Sequence, residues 1–166
     1  MSRYWRTEKI LDIDQASHQA EYLRSIGKKI VTVNGSFDVL HGGHIAILEE
    51  AKLQGELLFV GLNSDTTIRE GKGEPFPIVP QDQRAAVLAA MICVDYVVIL
   101  EAPYGTTHDV LLETVRPAIH ANCTEFGHVQ EWAEYPTMQK YGIAGYLVEK
   151  NSGIADEELL PYTSPR

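Results

Sequence analysis

The fold is decided by the stretch Val31-Thr-Val-Asn-Gly-Ser-Phe-Asp-Val-Leu-His-Gly-Gly-His44. It begins as an apolar, β-branched run, which predicts a buried strand. We expect the strand to break at Asn34-Gly35, a pair that tolerates positive φ. An amphipathic segment follows His44 and predicts a helix. Unpaired backbone N–H groups and the positive end of a helix dipole converge at such a place, so the stretch predicts an anion-binding loop.

Strands and helices alternate on both sides of this stretch. Apolar runs predict strands over residues 30–33, 57–62, 96–100, 118–120 and 143–148. Helical spacing predicts helices over residues 14–26, 42–54, 81–92, 107–115 and 155–160, with residues 128–141 partly helical. The glycines and prolines of residues 66–80 predict a segment that is largely loop.

This alternation predicts the α/β class, in a single doubly wound, Rossmann-like domain. We expect a mostly parallel sheet of about five strands with helices on both faces. Residues 1–166 are expected to form one domain, with a helical leader (1–27), a core (28–150) and a tail (151–166). Ligands of such sheets bind beyond the carboxyl ends of the strands. The loops at residues 34–44, 63–65 and 122–127 should meet at that edge.

The composition of the chain limits the classes of partner that it can bind. The chain has 166 residues, with 14 basic and 23 acidic side chains and a formal charge of -9, which argues against nucleic-acid or anionic-membrane partners. No apolar run is long enough to span a bilayer, and the amino terminus lacks the apolar segment of a secretory signal. Cys93 and Cys123 lie far apart, without metal-binding spacing. We therefore expect reduced thiols in a cytoplasmic protein.

The two histidines indicate phosphate chemistry. Side chains at i and i+3 of a helix start face the same way, so His41 and His44 can donate to one group of phosphate oxygens. Donors held in advance suit displacement at a nucleotide α-phosphate, where charge builds on the phosphate oxygens and pyrophosphate leaves. An isolated pair of this kind would more simply be two surface histidines beside a helix cap. A zinc pair is the other alternative, but it lacks a third ligand.

The motif from Asn34 to His44 resembles the N-G-x-F-D-x-x-H-x-G-H signature of the cytidylyltransferase-like nucleotidyltransferases. The resemblance is greatest to the adenylyltransferase domain of the bacterial ADP-heptose synthesis enzyme, and glycerol-3-phosphate cytidylyltransferase is more distant. It extends from about Lys9 to the last strand and includes Val60–Asp65, Lys72-Gly73 and Pro80–Arg84. It implies a nucleotidyltransferase that moves a nucleoside monophosphate from ATP or CTP to a sugar or polyol phosphate, heptose 1-phosphate being the best guess. Mg²⁺ would accompany the triphosphate, with no metal site of the protein's own, and a homodimer is implied.

The resemblance also implies roles by position. The catalytic groups would be His41, His44, Lys72 and Arg84. The histidines would also hold the nucleotide, whose pocket would be completed by Asn34, Gly35, Ser36, Phe37, Asn122, Ser152, Gly153 and Ile154. Lys72 and Arg84 would also contact the acceptor, together with Asp38, Asn63 and Asp65.

Several of these positions have simpler interpretations. Asp38 is as well suited to capping the helix start, and Asn63 and Asp65 to a turn after a strand. Lys72 can be a solvated loop lysine, and Arg84 can belong to a surface ion pair with Asp82 or Glu74.

The chain departs from the heptose relatives at three places. Phe76-Pro77 replaces an Arg-Pro pair, Asn122 falls near an expected lysine, and residues 151–154 replace a Ser-Thr-Thr-like helix start. Two phosphate-neutralising cations are thereby missing. Replacements could come from Arg69, His120, His128 or a partner subunit. Without them, the alternative function is a nucleotide-binding module of the same fold with little or no turnover. A synthetase-type adenylating domain is disfavoured because the chain lacks a Lys-Met-Ser-Lys-Ser-like loop.

Overall fold

The computed structural model describes residues 4–149, which form a six-stranded parallel sheet covered by helices on both faces. The strands are β1 (Ile10–Leu11), β2 (Ile30–Gly35), β3 (Leu57–Asn63), β4 (Tyr96–Leu100), β5 (Ile119–Cys123) and β6 (Ala144–Val148). The helices are α1 (Ile13–Ser25), α2 (Gly42–Leu53), α3 (Asp65–Lys72), α4 (Gln81–Ala90), α5 (Thr107–Val115) and α6 (Tyr135–Tyr141). Short 3-10 turns lie at Trp5–Lys9, Thr124–Phe126 and Val129–Glu131.

The α/β class, the parallel sheet and the five predicted strands are confirmed. The sixth strand, β1, was not predicted because two residues are too few for a periodic pattern. It extends the sheet beside β4. The predicted helix over residues 155–160 lies outside the described residues.

The prediction for residues 66–80 was wrong in its first half, because α3 occupies Asp65–Lys72. Ser64 caps this helix by accepting a hydrogen bond from the Thr67 amide at 3.1 Å. The buried side chains of Thr67 and Ile68 hold it on the sheet. Tertiary burial and a cap therefore outweigh the nearby Gly71 and Gly73.

Two apolar layers form the core. On one face of the sheet, α2 and α4 bury Leu48 and Leu88 against alternate residues of β2 and β3. On the other face, α1 and α5 bury Ala20 and Leu111 around Phe59. Since side chains alternate along a strand, each strand of the middle of the sheet feeds both layers. This two-sided burial fixes the register of the strands and thereby the position of the loops at their carboxyl ends.

The order in which the chain adds strands to the sheet reverses at β2. The strand order is β1-β4-β3-β2-β5-β6, so the chain first builds outward from β2 through β3 to β4 and then returns to β2's other side. β2 pairs with β3 from Ile30 to Gly35, but with β5 only at Val31 and Thr32. Beyond the Thr32–His120 pair the two strands separate. This junction is the switch point at which open α/β sheets bind ligands, and we call the gap between the ends of β2 and β5 the crevice.

No helix within residues 4–149 is long and apolar enough to cross a membrane.

Candidate active site

The loop that leads from β2 to α2 holds an unusual backbone conformation. Phe37 has a φ of 45°, although it is not glycine, and its ring is 6% exposed. Such a conformation costs on the order of 1–3 kcal/mol. It is held because the ring is packed in the core, over Gly35, where an added Cβ would lie 3.1 Å from the ring. The predicted break at Asn34-Gly35 was wrong: both residues belong to β2, and the left-handed turn comes at Phe37.

His41 and His44 lie together at the start of α2. His41 is the N-cap residue, and its Nδ1 accepts a hydrogen bond from the Gly43 amide at 3.1 Å. Because Nδ1 accepts, the proton of the neutral ring is on Nε2, which makes that nitrogen a donor. The His41 and His44 ring centroids are 4.1 Å apart, and His44 contacts the Phe37 ring at 5.6 Å. The buried Phe37 ring thus fixes the orientation of the His44 ring.

The backbone around the histidines leaves room for a ligand. Both rings are partly buried rather than fully exposed. A Cβ placed on Gly42, between them, would have nothing within 4 Å. The first turn of α2 contains no acidic residue. Two imidazole rings, the N–H groups of a helix start and an open glycine therefore lie together, which is the arrangement an anion requires.

Arg84 lies buried at a junction between segments of the carboxyl edge. Its side chain is inaccessible to solvent, whereas direct contact with a phosphate requires access. Nε donates to Val79 O at 2.8 Å, and one terminal nitrogen donates to Ser36 O at 2.5 Å and Asn63 O at 3.0 Å. The other terminal nitrogen pairs with Asp65 Oδ1 at 2.7 Å.

The guanidinium of Arg84 therefore joins three segments at the carboxyl edge. These are the loop after β2, the end of β3 with the start of α3, and the residues that lead into α4. The interpretation as a surface pair with Asp82 or Glu74 was wrong, because the side chain is buried and pairs with Asp65. The contact of Arg84 with phosphate or acceptor stays a prediction. The planar fork can satisfy several carbonyls at once, which a lysine cannot do.

Asp38 reinforces the same junction. Its two carboxylate oxygens accept hydrogen bonds from the backbone amides of Ile78 and Val79, at 2.9 and 2.8 Å. The helix-capping interpretation was wrong, because His41 caps α2. Asp38 instead ties the loop before α4 to the motif loop. A contact with the acceptor, which the resemblance implies, would need to be shared with these two amides.

The residues that follow β3 occupy the neighbouring part of the edge. Asn63 ends β3 and is 8% exposed, and its Oδ1 is buried without a hydrogen-bond partner among the described residues. Asp65 opens α3 and keeps a quarter of its side chain exposed beside Arg84. Lys72 is the last residue of α3 and is exposed. Asn63 and Asp65 are thus adjacent to the motif loop through Arg84, while Lys72 lies one helix length away.

The end of β5 differs from the expected phosphate-binding surface. Asn122 Nδ2 donates to Glu134 Oε1 at 2.8 Å, and Asn122 Oδ1 accepts from the Cys123 amide at 3.2 Å. Glu134 is 5% exposed, and its carboxylate lies 3.3 Å from His120 Nε2. Burial acts to raise the pKa of Glu134, but the nearby His120, a backbone hydrogen bond and His108 together outweigh it, so that the pKa is lowered. The carboxyl end of β5 therefore carries a buried carboxylate.

The side chains suggested as replacement cations differ in exposure and in their partners. His120 is 0% exposed, which excludes contact with a ligand phosphate in this structure. Arg69 is half-exposed and pairs with Glu74 at 2.9 Å. His128 is exposed in the loop after β5. The predicted nucleotide-binding residues Ser152, Gly153 and Ile154 lie outside the described residues. Within residues 4–149 no group of three or more His, Cys, Asp or Glu side chains could hold a metal ion.

A family model for cytidylyltransferase-like proteins matches residues 32–148, which span the sheet from β2 to β6 and include the whole motif loop. The chain belongs to the cytidylyltransferase-like family. The enzyme class predicted from the sequence, a nucleotidyltransferase, is confirmed by this match and by the relatives below.

The curated relatives include bifunctional proteins named HldE. The protein from Geobacter metallireducens is 44% identical over 111 residues, and that from Wolinella succinogenes is 50% identical over 99 residues. These matches cover 67% and 58% of this chain, but only 22% and 21% of the relatives. The chain therefore corresponds to about a fifth of their length.

Two solved structures share the fold. A lipopolysaccharide core biosynthesis protein from Thermoplasma volcanium has a TM-score of 0.60 and 26% identity, covering 77% of this chain and 100% of that one. A pantoate-beta-alanine ligase from Francisella tularensis, complexed with beta-gamma ATP and beta-alanine, has a TM-score of 0.64 and 16% identity. It covers 84% of this chain and 66% of that one. At that identity the ligase shows the likeness of fold alone.

Two features of the site were missed from the sequence. Glu134 lies in the segment predicted to be partly helical, where nothing singled it out, and its partner His120 is on a strand 14 residues earlier. The only signal was a histidine in the middle of an apolar strand, which requires a polar partner when it is buried. The Arg84 junction gave no local signal, because three of its four acceptors are backbone carbonyls.

Proposed function

We propose that this protein transfers a nucleoside monophosphate from ATP or CTP to a sugar or polyol phosphate and releases pyrophosphate. The observation that carries the proposal is the pair His41 and His44, whose tilted rings lie with their centroids 4.1 Å apart at the start of α2. Family membership supports the reaction class. The identity to the HldE proteins supports a heptose-1-phosphate adenylyltransferase-like activity as the best choice of acceptor and nucleotide.

In the proposed reaction, an oxygen of the acceptor phosphate attacks the α-phosphorus of the nucleotide. The new phosphorus–oxygen bond forms as the bond to the bridging oxygen breaks, and pyrophosphate leaves with that oxygen. His41 and His44 would donate to the phosphate oxygens on which charge develops, and the positive end of α2 would add to this effect. No protein nucleophile is required, because alignment of the two substrates supplies much of the rate acceleration.

The other residues have proposed roles that follow from their positions. Asn34, Gly35, Ser36 and Phe37 would line the nucleotide pocket, chiefly through backbone. Lys72, Asn63 and Asp65 would serve the acceptor, and Arg84 and Asp38 would keep the loops that carry them in register. Mg²⁺ would arrive with the triphosphate and neutralise part of its charge. The donor set here consists of histidines and N–H groups rather than a carboxylate cage, so phosphate oxygens and water would hold the ion.

The test is pyrophosphate release by the purified protein with four nucleoside triphosphates, each combined with heptose 1-phosphate, glycerol 3-phosphate and other sugar phosphates. We expect release to require both a triphosphate and one acceptor class, and to fall strongly in a His41→Ala/His44→Ala variant. Release that is unchanged in this variant would exclude the mechanism.

A nucleotide-binding module with little turnover is the second candidate. It is favoured by the end of β5, where Asn122 and a buried carboxylate stand in place of a cation. Tight nucleotide binding in a calorimeter, with no release for any acceptor, would select it over the enzyme.

The remaining expectations, a homodimer and a cytoplasmic location, stay predictions. Trp132 is 4% exposed and packs with Met138, so it does not contribute an exposed aromatic surface. Tyr4 and Trp5 are at least half-exposed.

A further inference from the structure

A chain of polar side chains lies beneath the crevice and has no role in the steps above. Thr32 Oγ1 and His120 Nδ1 are 2.8 Å apart, and both residues are 0% exposed. On the other side of the imidazole ring, Nε2 lies 3.3 Å from Glu134 Oε1. The same carboxylate oxygen accepts the hydrogen bond from Asn122 at 2.8 Å. The order is therefore Thr32, His120, Glu134, Asn122, from the floor of the crevice to its wall.

The position of this chain follows from the sheet. Thr32 and His120 form the last paired positions of β2 and β5 before the strands separate. Asn122 lies two residues further along β5, so its side chain emerges on the same face of the sheet as His120, nearer the ligand edge. The Thr32–His120 contact thus marks the point where the crevice begins, and Asn122 stands on the wall above it.

The chemistry of the chain fixes one orientation of Asn122. A carboxamide can turn by half a rotation and exchange its donor and acceptor ends. The Glu134 carboxylate only accepts hydrogen bonds, so it holds Nδ2 toward itself. Oδ1 must then face the other way, where it accepts from the Cys123 amide. Asn122 is partly exposed, and its second Nδ2 hydrogen and second Oδ1 lone pair are held in a fixed arrangement.

The position of Glu134 is in turn fixed. A buried carboxylate costs several kcal/mol unless it is paired and hydrogen-bonded. Here His120 supplies the pairing, and Thr32 holds the far side of the His120 ring. The Trp132 ring packs edge-on against His120 with centroids 6.3 Å apart and closes the chain from the side of α6.

We propose that Glu134 is a positioning residue for nucleotide binding that acts through Asn122. The inference rests on the proposed function and deepens it, since it assigns the wall at Asn122 to the uncharged base and ribose end of the nucleotide. The phosphates are assigned to the histidines and helix N–H groups at the start of α2, because the wall at Asn122 offers them an uncharged amide.

The experiment is calorimetric titration of the full chain with Mg-ATP and with Mg-CTP, without acceptor, so that the result does not depend on turnover. The variants are Glu134→Met, which keeps the volume but removes the acceptor, Asn122→Ala, and the two combined. We expect each single variant to weaken binding by about tenfold, which corresponds to one well-placed hydrogen bond. The double variant should be no weaker than Asn122→Ala alone, because Glu134 acts through Asn122.

Two further variants separate positioning from stability. Glu134→Gln keeps an oxygen that can accept from Asn122, and we expect it to bind within about threefold of the wild type. Glu131→Gln is the matched control: it is an exposed carboxylate in the same segment that accepts from the His128 amide and not from Asn122. It should bind as the wild type does. Circular dichroism melts establish that each variant is folded.

The outcomes are distinguishable. If the wild type binds neither nucleotide, the proposed function fails and this inference fails with it. If the wild type binds and Asn122→Ala binds equally well, the inference alone is overturned, even where Glu134→Met does not fold. An effect of Glu134→Met that persists at full size in the Asn122→Ala background would also overturn it, because Glu134 would then act independently of Asn122.

Discussion

The two walls of the crevice offer different groups to a ligand. On the α2 side, His41 and His44 meet the N–H groups of a helix start whose first turn has no acidic residue. On the β5 side, Asn122 rests on the buried carboxylate of Glu134. A nucleoside triphosphate is itself divided into a polyanionic end and an uncharged end. The difference between the walls therefore supplies the direction in which a nucleotide would lie, without any lysine at the end of β5.

The comparison depends most on the histidines. Replacing either His41 or His44 by Ala removes a donor aimed at developing charge, and we expect kcat to fall by about 10²–10³-fold. The measurement is pyrophosphate release at saturating substrates. His18→Ala is the control, since His18 is an exposed histidine on α1 and should leave the rate unchanged. A loss below about threefold in both active-site variants would contradict the assignment of the phosphates to the α2 wall.

The junction at Arg84 is expected to give the largest effect on stability. Arg84→Met leaves the Asp65 carboxylate without its partner and three carbonyls without their donor. We expect a loss of about 3 kcal/mol in the free energy of unfolding, which is in the range for breaking a buried pair.

Urea unfolding measures the Arg84 effect, with Arg69→Ala as the matched control. The pair of Arg69 with Glu74 is half-exposed to solvent and should contribute less than about 1 kcal/mol. If Arg84→Met unfolds at the same urea concentration as Arg69→Ala, the guanidinium does not hold the three segments together.

Lys72 tests whether the exposed end of α3 contributes to acceptor binding. Because it is exposed at the end of α3, Lys72→Ala should not change stability. If it neutralises the acceptor phosphate, its loss should raise the KM for the acceptor by about 10–100-fold, with a smaller change for the nucleotide. Lys140→Ala, an exposed lysine on α6, is the control. Equal KM values for the acceptor in the two variants would show that Lys72 is an ordinary solvated lysine with no role in acceptor binding.

The smallest expected effect concerns acid stability at the β5 wall. Since the pKa of Glu134 is lowered in the folded protein, its carboxylate stabilises the fold above the ordinary glutamate pKa. This contribution is lost as the pH falls through the lowered pKa. Glu134→Gln lacks it, so the difference in unfolding free energy between wild type and variant should shrink as the pH falls from neutral through the ordinary glutamate pKa and then through the lowered pKa. A difference that stays constant over this range would show that the charge of Glu134 does not stabilise the fold.

Features that depend on local sequence patterns were predicted, and features that depend on contacts between distant parts of the chain were not. β-branched runs and glycine stops were enough for the five longer strands, and the strand–loop–helix order was enough to place His41 and His44. α3 was missed because glycines and prolines are visible in the sequence, while the burial of Ile68 is not. The partners of Arg84 were missed because they include Ser36 O, 48 positions away, which no local pattern reports.

The β5 wall shows the same limit for a charged group. Asn122 was recognised as a departure from the relatives, but its partner Glu134 was not singled out in the segment predicted to be partly helical. Only the folded chain brings this carboxylate under the strand end, where His120 compensates its burial. The sequence therefore showed that the cations expected from the resemblance are absent, but it did not show that the Glu134 carboxylate lies at the end of β5.

The most direct test of the central claim is a crystal structure with a bound non-hydrolysable nucleoside triphosphate and Mg²⁺. The account predicts phosphate oxygens within hydrogen-bonding distance of His41 and His44, and the base and ribose against Asn122. A nucleotide bound with its phosphates against Asn122, or outside the crevice between β2 and β5, would contradict it.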